Sequence, residues 1–498
     1  FTISVLPTPT VDQQANITYC GGVQQPDIIF TGTTTNTQYA WTSSQNVGFV
    51  TSGTATPTIG TYFIDPLTQV VSNVVVTPQI VSGALTCSGS PMTFTVTVNP
   101  TPTVSALTAQ ALCNASATSA INFSGSQAGA TYNWTNDNTT IGLAASGAGN
   151  IASFSATNAG TTTQVANITV TPVLGACTGA STSTTITVYP TPTVTAPSNQ
   201  AICAGDASTE VSLSGAVSGT LYSWSNDNTA IGLSASGYGT IPAFTTVNAG
   251  TTAATATVTV TPYNVPTAGT AFATYQEGQT FTLTAPAGMV FTSVQFASYG
   301  NSTGTGPNFV VGSENAANSV AAMEQAALGN NTFSIAATDA NFPNNFGGTQ
   351  TLSAVLTYGA LANACPGTPQ SFTYTVNPVP VYANQTATTC SGTALSVTPT
   401  GTTVPAGTQF TWTVVDNPDV TGEAANATAA STFSANLVNT SNTAQTVVYT
   451  LTPIAGTCAG ASFTMTVTVD PTPSVTAQTA TICSATSFSV TPANGSGN

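Results

Sequence analysis

Nine cysteines and fifteen carboxylates are the main reactive and charged side chains of this 498-residue sequence, which contains no lysine, arginine or histidine. Without those residue types, no Ser–His, Cys–His or lysine nucleophile arrangement can form. A glycosidase that uses two carboxylates is the remaining enzyme chemistry, but few acids fall in any one part of the chain. We therefore predict that the protein is not an enzyme.

The charge of the chain also restricts its partners. The formal net charge is −15, and binding to nucleic acids or to anionic lipids depends on lysine and arginine. No apolar run approaches the roughly 18 residues of a membrane helix. We therefore expect no nucleic-acid partner and no membrane insertion in this segment. Residue 1 is phenylalanine and no signal peptide is visible, which indicates processing or a longer parent chain.

A pattern of roughly 90 residues recurs along the chain, and its clearest copies are TYNWTNDNTTIGL (131–143) and LYSWSNDNTAIGL (221–233). In four copies the first cysteine precedes the tryptophan by 21, 21, 21 and 22 residues. Such strict self-similarity is typical of a modular array. Within the copies, runs such as FTMTVTVDP (463–471) alternate apolar and polar residues. That alternation predicts β-strands and an all-β fold class.

Each repeat carries two cysteines, which predicts one disulfide in each repeat and an oxidising compartment. A cysteine metal centre is not expected, because the sequence has no CxxC pair and no histidine. Cys483 is left over, since its repeat stops before a second cysteine. The predicted pairs are Cys20–Cys87, Cys113–Cys177, Cys203–Cys365 and Cys390–Cys458.

The four tryptophans occupy one position of the repeat, and each follows a tyrosine or phenylalanine by two residues. Residues i and i+2 of a strand share a face, so each pair is predicted to fill the core of its repeat. An exposed aromatic platform for sugar stacking is the alternative. The residues are Trp41, Trp134, Trp224 and Trp412.

The third repeat contains an insertion. Cys177 lies five positions after Pro172, whereas Cys365 lies 103 positions after Pro262. We therefore expect an inserted domain between the last two strands of that repeat. The predicted domains are 1–7 (last strand of a preceding repeat), 8–100, 101–190, 191–263 plus 361–378 (the split repeat), 264–360 (the insert), 379–471 and 472–498 (an incomplete fifth repeat).

The repeats resemble the PKD-like and Ig-like repeats of large surface proteins of Bacteroidota exported by the type IX system. The resemblance rests on NPTPTV (99–104), YPTPTV (189–194), SATNAG (155–160) and GACTGAS (175–181). It implies tandem β-sandwiches joined end to end by proline-rich segments. It also implies an extracellular location at a bacterial surface.

The insert resembles the sea-urchin-egg-lectin family of galactose- and rhamnose-binding domains. The matching strings are Glu277-Gly278, FASYG (296–300), ATDANF (337–342) and GGTQTL (347–352), together with a predicted helix over 315–328 that ends at Gly329. The resemblance implies a small β-rich α+β domain. It also implies that the side chains of Glu277, Tyr299 and Asp339 bind sugar hydroxyls.

The insert departs from that family in several places. Its cysteines are replaced near Gly306, Glu314, Phe333 and Phe346, and its usual lysine is replaced by Gln350 or Thr351. The alternative to carbohydrate binding is therefore a spacer or protein-contact domain, in which Glu277 and Asp339 are turn residues.

Asp137 and Asp227 lie in repeated Asn-Asp-Asn turns, and Asp416-Asn417 holds the analogous place in the fourth full repeat. A Ca²⁺ ion takes six to eight oxygen ligands, and one carboxylate in each turn falls short of that. We prefer an Asx-turn, with a weak Ca²⁺ site as the alternative, and expect no cofactor.

Together these patterns predict a non-enzymatic segment of a secreted bacterial surface adhesin, in which disulfide-linked repeats display a lectin-like module. Its expected partners are surface glycans or neighbouring copies of itself. The alternative is a structural subunit of an extracellular filament or sheath, in which the insert makes contacts between chains.

Overall fold

The structure is a computed structural model that describes residues 3–55, 57–61, 64–475, 477–484 and 486–491. It divides into two compact units, Phe1–Thr191 and Pro192–Asn498. The fold class predicted from the sequence, tandem Ig-like and PKD-like β-sandwich repeats, is confirmed. The predicted segments 1–7 and 472–498 fall partly outside the described residues, and their described parts lie outside any strand.

The first repeat is built around one six-stranded sheet and a small two-stranded one. The large sheet has the order β1-β8-β6-β3-β4, with β7 added at the end of β6, while β2 pairs with β5. Strands β1 and β8 run parallel, and the others are antiparallel. The strands are β1 (Ile17–Cys20), β2 (Ile28–Ile29), β3 (Gln38–Ser43), β4 (Ser52–Ala55), β5 (Thr58–Ile59), β6 (Val70–Ser82), β7 (Leu85–Ser88) and β8 (Met92–Asn99).

The second repeat has the same large sheet, in the order β9-β14-β12-β10-β11 with β13 on β12. A 3₁₀ helix, Thr139–Ile141, follows the tryptophan strand, and the side chain of Asn138 caps it by accepting from Thr140 N. The strands are β9 (Gln110–Cys113), β10 (Thr131–Asn136), β11 (Ser146–Ala148), β12 (Gln164–Leu174), β13 (Cys177–Thr178) and β14 (Thr182–Tyr189).

The third repeat begins with four strands and a 3₁₀ helix, Thr229–Ile231, and is then interrupted. These strands are β15 (Gln200–Cys203), β16 (Leu221–Asn226), β17 (Ser236–Tyr238) and β18 (Ala254–Asn264). The inserted strands are β19 (Gly269–Gln276), β20 (Thr280–Thr284), β21 (Val290–Gly300), β22 (Thr303–Thr305), β23 (Asn308–Val310), β24 (Thr332–Ala336) and β25 (Thr351–Gly359), with the helix α1 (Ser319–Ala327) between β23 and β24.

After the insert, a 3₁₀ helix (Leu361–Asn363) leads into β26 (Cys365–Pro366) and β27 (Gln370–Asn377). Strand β26 pairs with β18, Asn264 opposite Cys365. The corresponding hairpin of the second repeat pairs Leu174 with Cys177 directly. The two ends of the insert therefore leave and re-enter one β-hairpin of the third repeat, whose sheet order is β15-β27-β18-β16-β17.

The fourth repeat again has the sheet order β29-β39-β37-β32-β34, with β38 on β37. Three short pairs complete it: β28 with β31, β30 with β35, and β33 with β36. Its strands are β28 (Val381–Tyr382), β29 (Gln385–Cys390), β30 (Ala394–Val397), β31 (Gly401–Thr403), β32 (Gln409–Val415), β33 (Val420–Thr421), β34 (Asn426–Ala430), β35 (Phe433–Asn436), β36 (Val438–Asn439), β37 (Gln445–Ala455), β38 (Cys458–Ala459) and β39 (Phe463–Asp470).

Apolar and polar residues alternate along the strands, and the apolar residues form the cores of the repeats. In β8 the residues Met92, Phe94, Val96 and Val98 are buried, and the threonines between them face outward. Each of the four tryptophans is at most 8% exposed and lies in the core of its repeat. The indole of Trp134 packs against Gly147 of the neighbouring strand, where a Cβ atom would overlap the ring.

The helix predicted over 315–328 is present but shorter. It begins at Ser319, because the preceding residues are held to β21: Asn315 bridges to Gly300, and Ala316 N donates to Tyr299 O at 2.9 Å. Gly329 has a φ of 75°, a left-handed conformation that favours glycine.

The predicted disulfide pairing is wrong. Cys20 is bonded to Cys177, and Cys203 to Cys458, so each of these bonds joins two successive repeats. Cys113 and Cys365 are also disulfide-bonded, whereas Cys87, Cys390 and Cys483 are free thiols.

The parallel pairing of β1 with β8 explains the error. It places Cys20 beside Asn99, at the end of the sheet where the chain leaves the repeat. Cys87 pairs with Ile80 at the opposite end. About eleven residue steps separate these two levels, roughly 35 Å at the rise of a β-strand. A disulfide needs Cα atoms about 6 Å apart, so the two cysteines of one repeat cannot bond.

Candidate functional site

The residues predicted to bind a sugar meet at one edge of the three-stranded sheet of the insert, which has the order β19-β25-β21. Glu277 directly follows β19, and Tyr299 lies near the end of β21. Both strands pair with the start of β25, where Leu352 lies opposite Tyr275 on one side and Tyr299 on the other. Asp339 reaches the same edge from the loop after β24.

The Tyr299 hydroxyl is the centre of this cluster. It donates a hydrogen bond to Asp339 Oδ1 at 3.2 Å, and Asn344 Nδ2 donates to the same oxygen at 2.8 Å. Burial, followed by the nearby charges of Glu277 and Asp339, raises the pKa of Tyr299 to about 12. The hydroxyl therefore stays protonated at neutral pH and acts as a hydrogen-bond donor to the carboxylate.

The ring of Tyr299 is closed to a ligand. It is fully buried and stacks on Phe342, with ring centroids 5.0 Å apart and planes inclined by 23°. A sugar therefore cannot stack on this ring. The cluster presents oxygen atoms that can accept hydrogen bonds from a ligand, chiefly those of the exposed Asp339 and the half-buried Glu277.

Glu277 is positioned by Gln350, the residue before β25. Its backbone N–H donates to Gln350 O at 2.8 Å, and its Oε2 accepts from Gln350 N at 3.2 Å. The Gln350 side chain is 2% exposed, and its Oε1 finds no hydrogen-bond partner in the described part of the chain. A buried acceptor of this kind carries a desolvation cost.

Sequence reasoning did not assign roles to three residues of this cluster: Phe342, Asn344 and Gln350. Phe342 belongs to the ATDANF string, so its place beside Tyr299 had a signal in the sequence. Gln350 stood out only as a replacement of the family's usual lysine, and Asn344 was not singled out.

The insert is attached to the third repeat by an apolar contact and a polar one. Leu328, the residue after α1, packs with Leu221 of that repeat and with Val265, which follows β18. Beside this contact, the Thr240 hydroxyl donates to Glu324 Oε2 at 3.4 Å. Burial, with a contribution from the charge of Glu210, raises the pKa of the Glu324 carboxyl.

The repeated Asn-Asp-Asn turns use their oxygens internally. Asp137 accepts from Asn167 N and Asn167 Nδ2, both at 2.7 Å, and Asp227 accepts from Thr257 N at 2.7 Å. In the fourth repeat Glu423 takes this part and accepts from Asn417 N at 3.1 Å. The two hydrogen bonds from Asn167 lower the pKa of Asp137. Among the described residues, no group of three or more His, Cys, Asp or Glu side chains could hold a metal ion.

Within the described ranges, no helix is long and apolar enough to cross a membrane. Comparison of the sequence with protein-family models gives a match to one family. Residues 387–473 match the PKD-like domain family. This match falls on the fourth repeat, and no curated protein matches the chain.

Among solved structures, the chain is similar at low identity to chains of extracellular cadherin domains and of immunoglobulin domains. Extracellular cadherin domains 1–5 of protocadherin gamma B2 match with 10% identity and a TM-score of 0.26, covering 94% of this chain and 82% of theirs. The human desmocollin-1 ectodomain matches with 10% identity and a TM-score of 0.23, covering 93% and 79%. Sidekick-1 immunoglobulin domains 1–4 match with 8% identity and a TM-score of 0.20, covering 93% and 98%.

Proposed function

We propose that this chain is a non-enzymatic segment of a secreted bacterial surface protein, of the Bacteroidota type that uses type IX secretion, and that its insert binds carbohydrate. Disulfides between repeats support an oxidising, extracellular location. The PKD-like match over 387–473 supports the repeat class. The repeats serve as a stalk and the insert as the adhesive module.

One observation carries the carbohydrate proposal. Glu277, Tyr299 and Asp339 come from three separate segments of the insert, and their oxygens converge at one sheet edge, where both carboxylate charges act on the Tyr299 hydroxyl. Ionised carboxylates accept hydrogen bonds from sugar hydroxyls, and such charge-assisted bonds are about twice as strong as neutral ones. The sequence has no lysine, arginine or histidine, so neither carboxylate is paired with a cationic side chain. Both can therefore accept hydrogen bonds from neutral donors.

The attachment of the insert suits an adhesive role. The insert is joined to the third repeat by two peptide segments. The packing of Leu328 and the Thr240–Glu324 hydrogen bond hold it there as well. A module held in one orientation presents its ligand-binding edge with a smaller loss of conformational freedom on binding than a module on a flexible linker.

A glycan array tests this proposal. The intact chain is compared with the double variant Glu277→Gln, Asp339→Asn, which keeps the size of both side chains and removes both charges. We expect saturable binding of a galactose- or rhamnose-containing glycan by the intact chain, with affinity reduced at least about tenfold in the variant, since each lost charge-assisted bond contributes roughly 1.5–3 kcal/mol.

A matched control removes two exposed carboxylates outside the insert, Asp206→Asn and Asp419→Asn. This control retains full binding if the insert edge is the site. Equal binding by both double variants and the intact chain would place the site elsewhere. Absence of glycan binding by the intact chain would refute the carbohydrate proposal and favour the spacer role.

A further inference from the structure

A cleft lies between the third repeat and the insert, beside the contact that joins them. Its volume is about 510 Å³, within the range of about 300–1,000 Å³ that is usual for ligand sites. One wall belongs to the third repeat and includes Glu210, Thr240 and Ala243. The other wall belongs to the insert and includes Gln325 of α1 and Asn341 of the loop after β24. The cleft therefore exists only because the two domains are packed together.

Close packing at the contact fixes the separation of the two walls. Gly329 lies against the ring of Tyr238, where a Cβ atom on the glycine would be 2.3 Å from the ring. Gly239 lies against Leu328, where a Cβ atom on the glycine would be 2.9 Å from Leu328 Cδ1. Because the walls are held in this way, the cleft is preformed, and a ligand binds without the cost of ordering it.

The cleft begins beside the proposed sugar site of the insert. Asp339 belongs to that site and Asn341 lines the cleft, and the Cα atoms of residues two positions apart lie at most about 7 Å from each other. Asn318 Nδ2 holds this loop to the start of α1 by donating to Asn341 O at 2.9 Å. The start of α1 is in turn held to the sugar site, because Ser319 Oγ accepts from Tyr299 N at 3.0 Å. A ligand at Asp339 that is longer than one sugar unit therefore has the cleft as its neighbouring space.

The lining of the cleft suits a neutral carbohydrate. The exposed carboxylate of Glu210 accepts hydrogen bonds from hydroxyl groups, and the exposed amide of Gln325 both donates and accepts them. Pro242, Ala322 and Ile335 supply apolar surface for the C–H groups of a sugar ring. Neither wall carries a cationic side chain, since the sequence has no lysine, arginine or histidine. The cleft therefore disfavours a ligand that places a carboxylate or sulfate group beside Glu210.

We propose that this cleft is a second sugar subsite and that the ligand of the chain is a neutral oligosaccharide. One end unit binds at the edge formed by Glu277 and Asp339, and the next unit lies in the cleft between Glu210 and Gln325. This inference rests on the proposed carbohydrate binding by the insert. It gives the third repeat a share in ligand specificity in addition to its place in the stalk.

Calorimetric titration of the intact chain tests the size and charge of the ligand. Galactose and rhamnose are compared with disaccharides that end in either sugar and whose second unit is a neutral hexose or the corresponding uronic acid. We expect the neutral disaccharide to bind at least about tenfold more tightly than the monosaccharide, as one further charge-assisted hydrogen bond provides. The uronic acid disaccharide is expected to bind no more tightly than the monosaccharide, because its carboxylate meets that of Glu210.

Three variants separate the cleft from the sugar edge. Glu210→Gln and Gln325→Ala each remove one polar contact, and Ala243→Trp fills the cleft from an exposed position. Ala196→Trp, at an exposed alanine in another part of the same repeat, is the matched control. We expect each cleft variant to weaken disaccharide binding by at least about fivefold and to leave monosaccharide binding unchanged. The control binds both sugars as the intact chain does.

The possible outcomes distinguish the subsite from the sugar edge. Equal affinity of the intact chain for the monosaccharide and the neutral disaccharide would overturn the subsite and leave carbohydrate binding by the insert in place. Full disaccharide affinity in Ala243→Trp would overturn the subsite as well. Binding of neither sugar by the intact chain would refute both proposals. Monosaccharide binding that is lost in Glu277→Gln, Asp339→Asn and kept in all three cleft variants, together with their loss of disaccharide affinity, supports both.

Discussion

Cys20 and Cys177 belong to different repeats, yet their Cα atoms lie 5.5 Å apart and their sulfurs are bonded. The bond closes a segment of 157 residues that contains most of both repeats. It therefore restricts the separation of two folded domains as well as the freedom of the unfolded chain. Closure of a loop of this length stabilises by about 5 kcal/mol in the chain-entropy model.

The double variant Cys20→Ser, Cys177→Ser is accordingly expected to lower the free energy of unfolding of the first two repeats by up to about 5 kcal/mol. Both repeats still fold, because the bond lies at their ends and outside their cores. Hydrogen exchange of the amides of residues 17–189, followed in the intact chain as denaturant is raised, measures the change. Cys87→Ser is the control and leaves stability unchanged, whereas a loss equal to that of the double variant would support bonding within the repeat.

Gly147 packs against the Trp134 indole so closely that a methyl group has no room. Gly147→Ala is expected to destabilise the second repeat by about 1–3 kcal/mol through overpacking. Gly237→Ala has the same effect in the third repeat, because Gly237 meets Trp224 in the same way. Ser146→Ala, an exposed neighbour on the same strand, is the control. Equal midpoints of urea unfolding for Gly147→Ala and Ser146→Ala would contradict this account.

The sequence predicted the sheets of the repeats well because burial imposes a period of two on their long strands. The buried Phe94, Val96 and Val98 alternate with threonine, and this pattern is readable without any structure. The position of Trp134 in the core was readable too, since the same aromatic pair recurs at one place in each repeat.

The disulfide pairing could not be predicted from the sequence, because it depends on which strands are neighbours in the sheet. The parallel partner of Ile17–Cys20 is the last strand of the repeat, about 80 residues later. Nothing in a local pattern reports that pairing. In the insert, the order of the motifs indicated Glu277, Tyr299 and Asp339. The role of Glu324 at the contact with the third repeat had no signal, since it is one acid in an alanine-rich helix.

Asp137 tests whether the Asn-Asp-Asn turn is held by hydrogen bonds or by an ion. Both of its carboxylate oxygens accept from Asn167, and these bonds hold its pKa below the ordinary value. A carboxyl with a lowered pKa stabilises the fold above its ordinary pKa, and this contribution is lost as pH falls through the folded value. Asp137→Asn is expected to remove that acid dependence.

Addition of millimolar Ca²⁺ leaves the thermal midpoint of the second repeat unchanged if the turn oxygens are already used. The measurement is calorimetry with and without chelator at neutral pH. A midpoint that rises with Ca²⁺ in the native chain, but not in Asp137→Asn, would restore the Ca²⁺ interpretation.

Glu324 makes the attachment of the insert depend on pH. Its carboxyl is half-buried beside Thr240, and burial, with repulsion from Glu210, raises its pKa above the ordinary 4.5. The folded state therefore holds this proton more tightly than the unfolded state. Stability from this group is fully present below pH 4.5 and is lost as pH rises through the folded pKa. We expect the contact to loosen between acidic and neutral pH.

Glu324→Gln keeps a hydrogen-bonding side chain without the charge. We expect it to stabilise the insert at pH 7, to match the native chain below pH 4.5, and to remove the pH dependence between these values. Hydrogen exchange of amides around Leu328, measured over this range, reports the local opening of the contact. Glu314→Gln, which lies in the insert away from Glu324 in sequence, is the charge-matched control. Faster exchange in Glu324→Gln than in the native chain at pH 7 would show that the charged form holds the contact together.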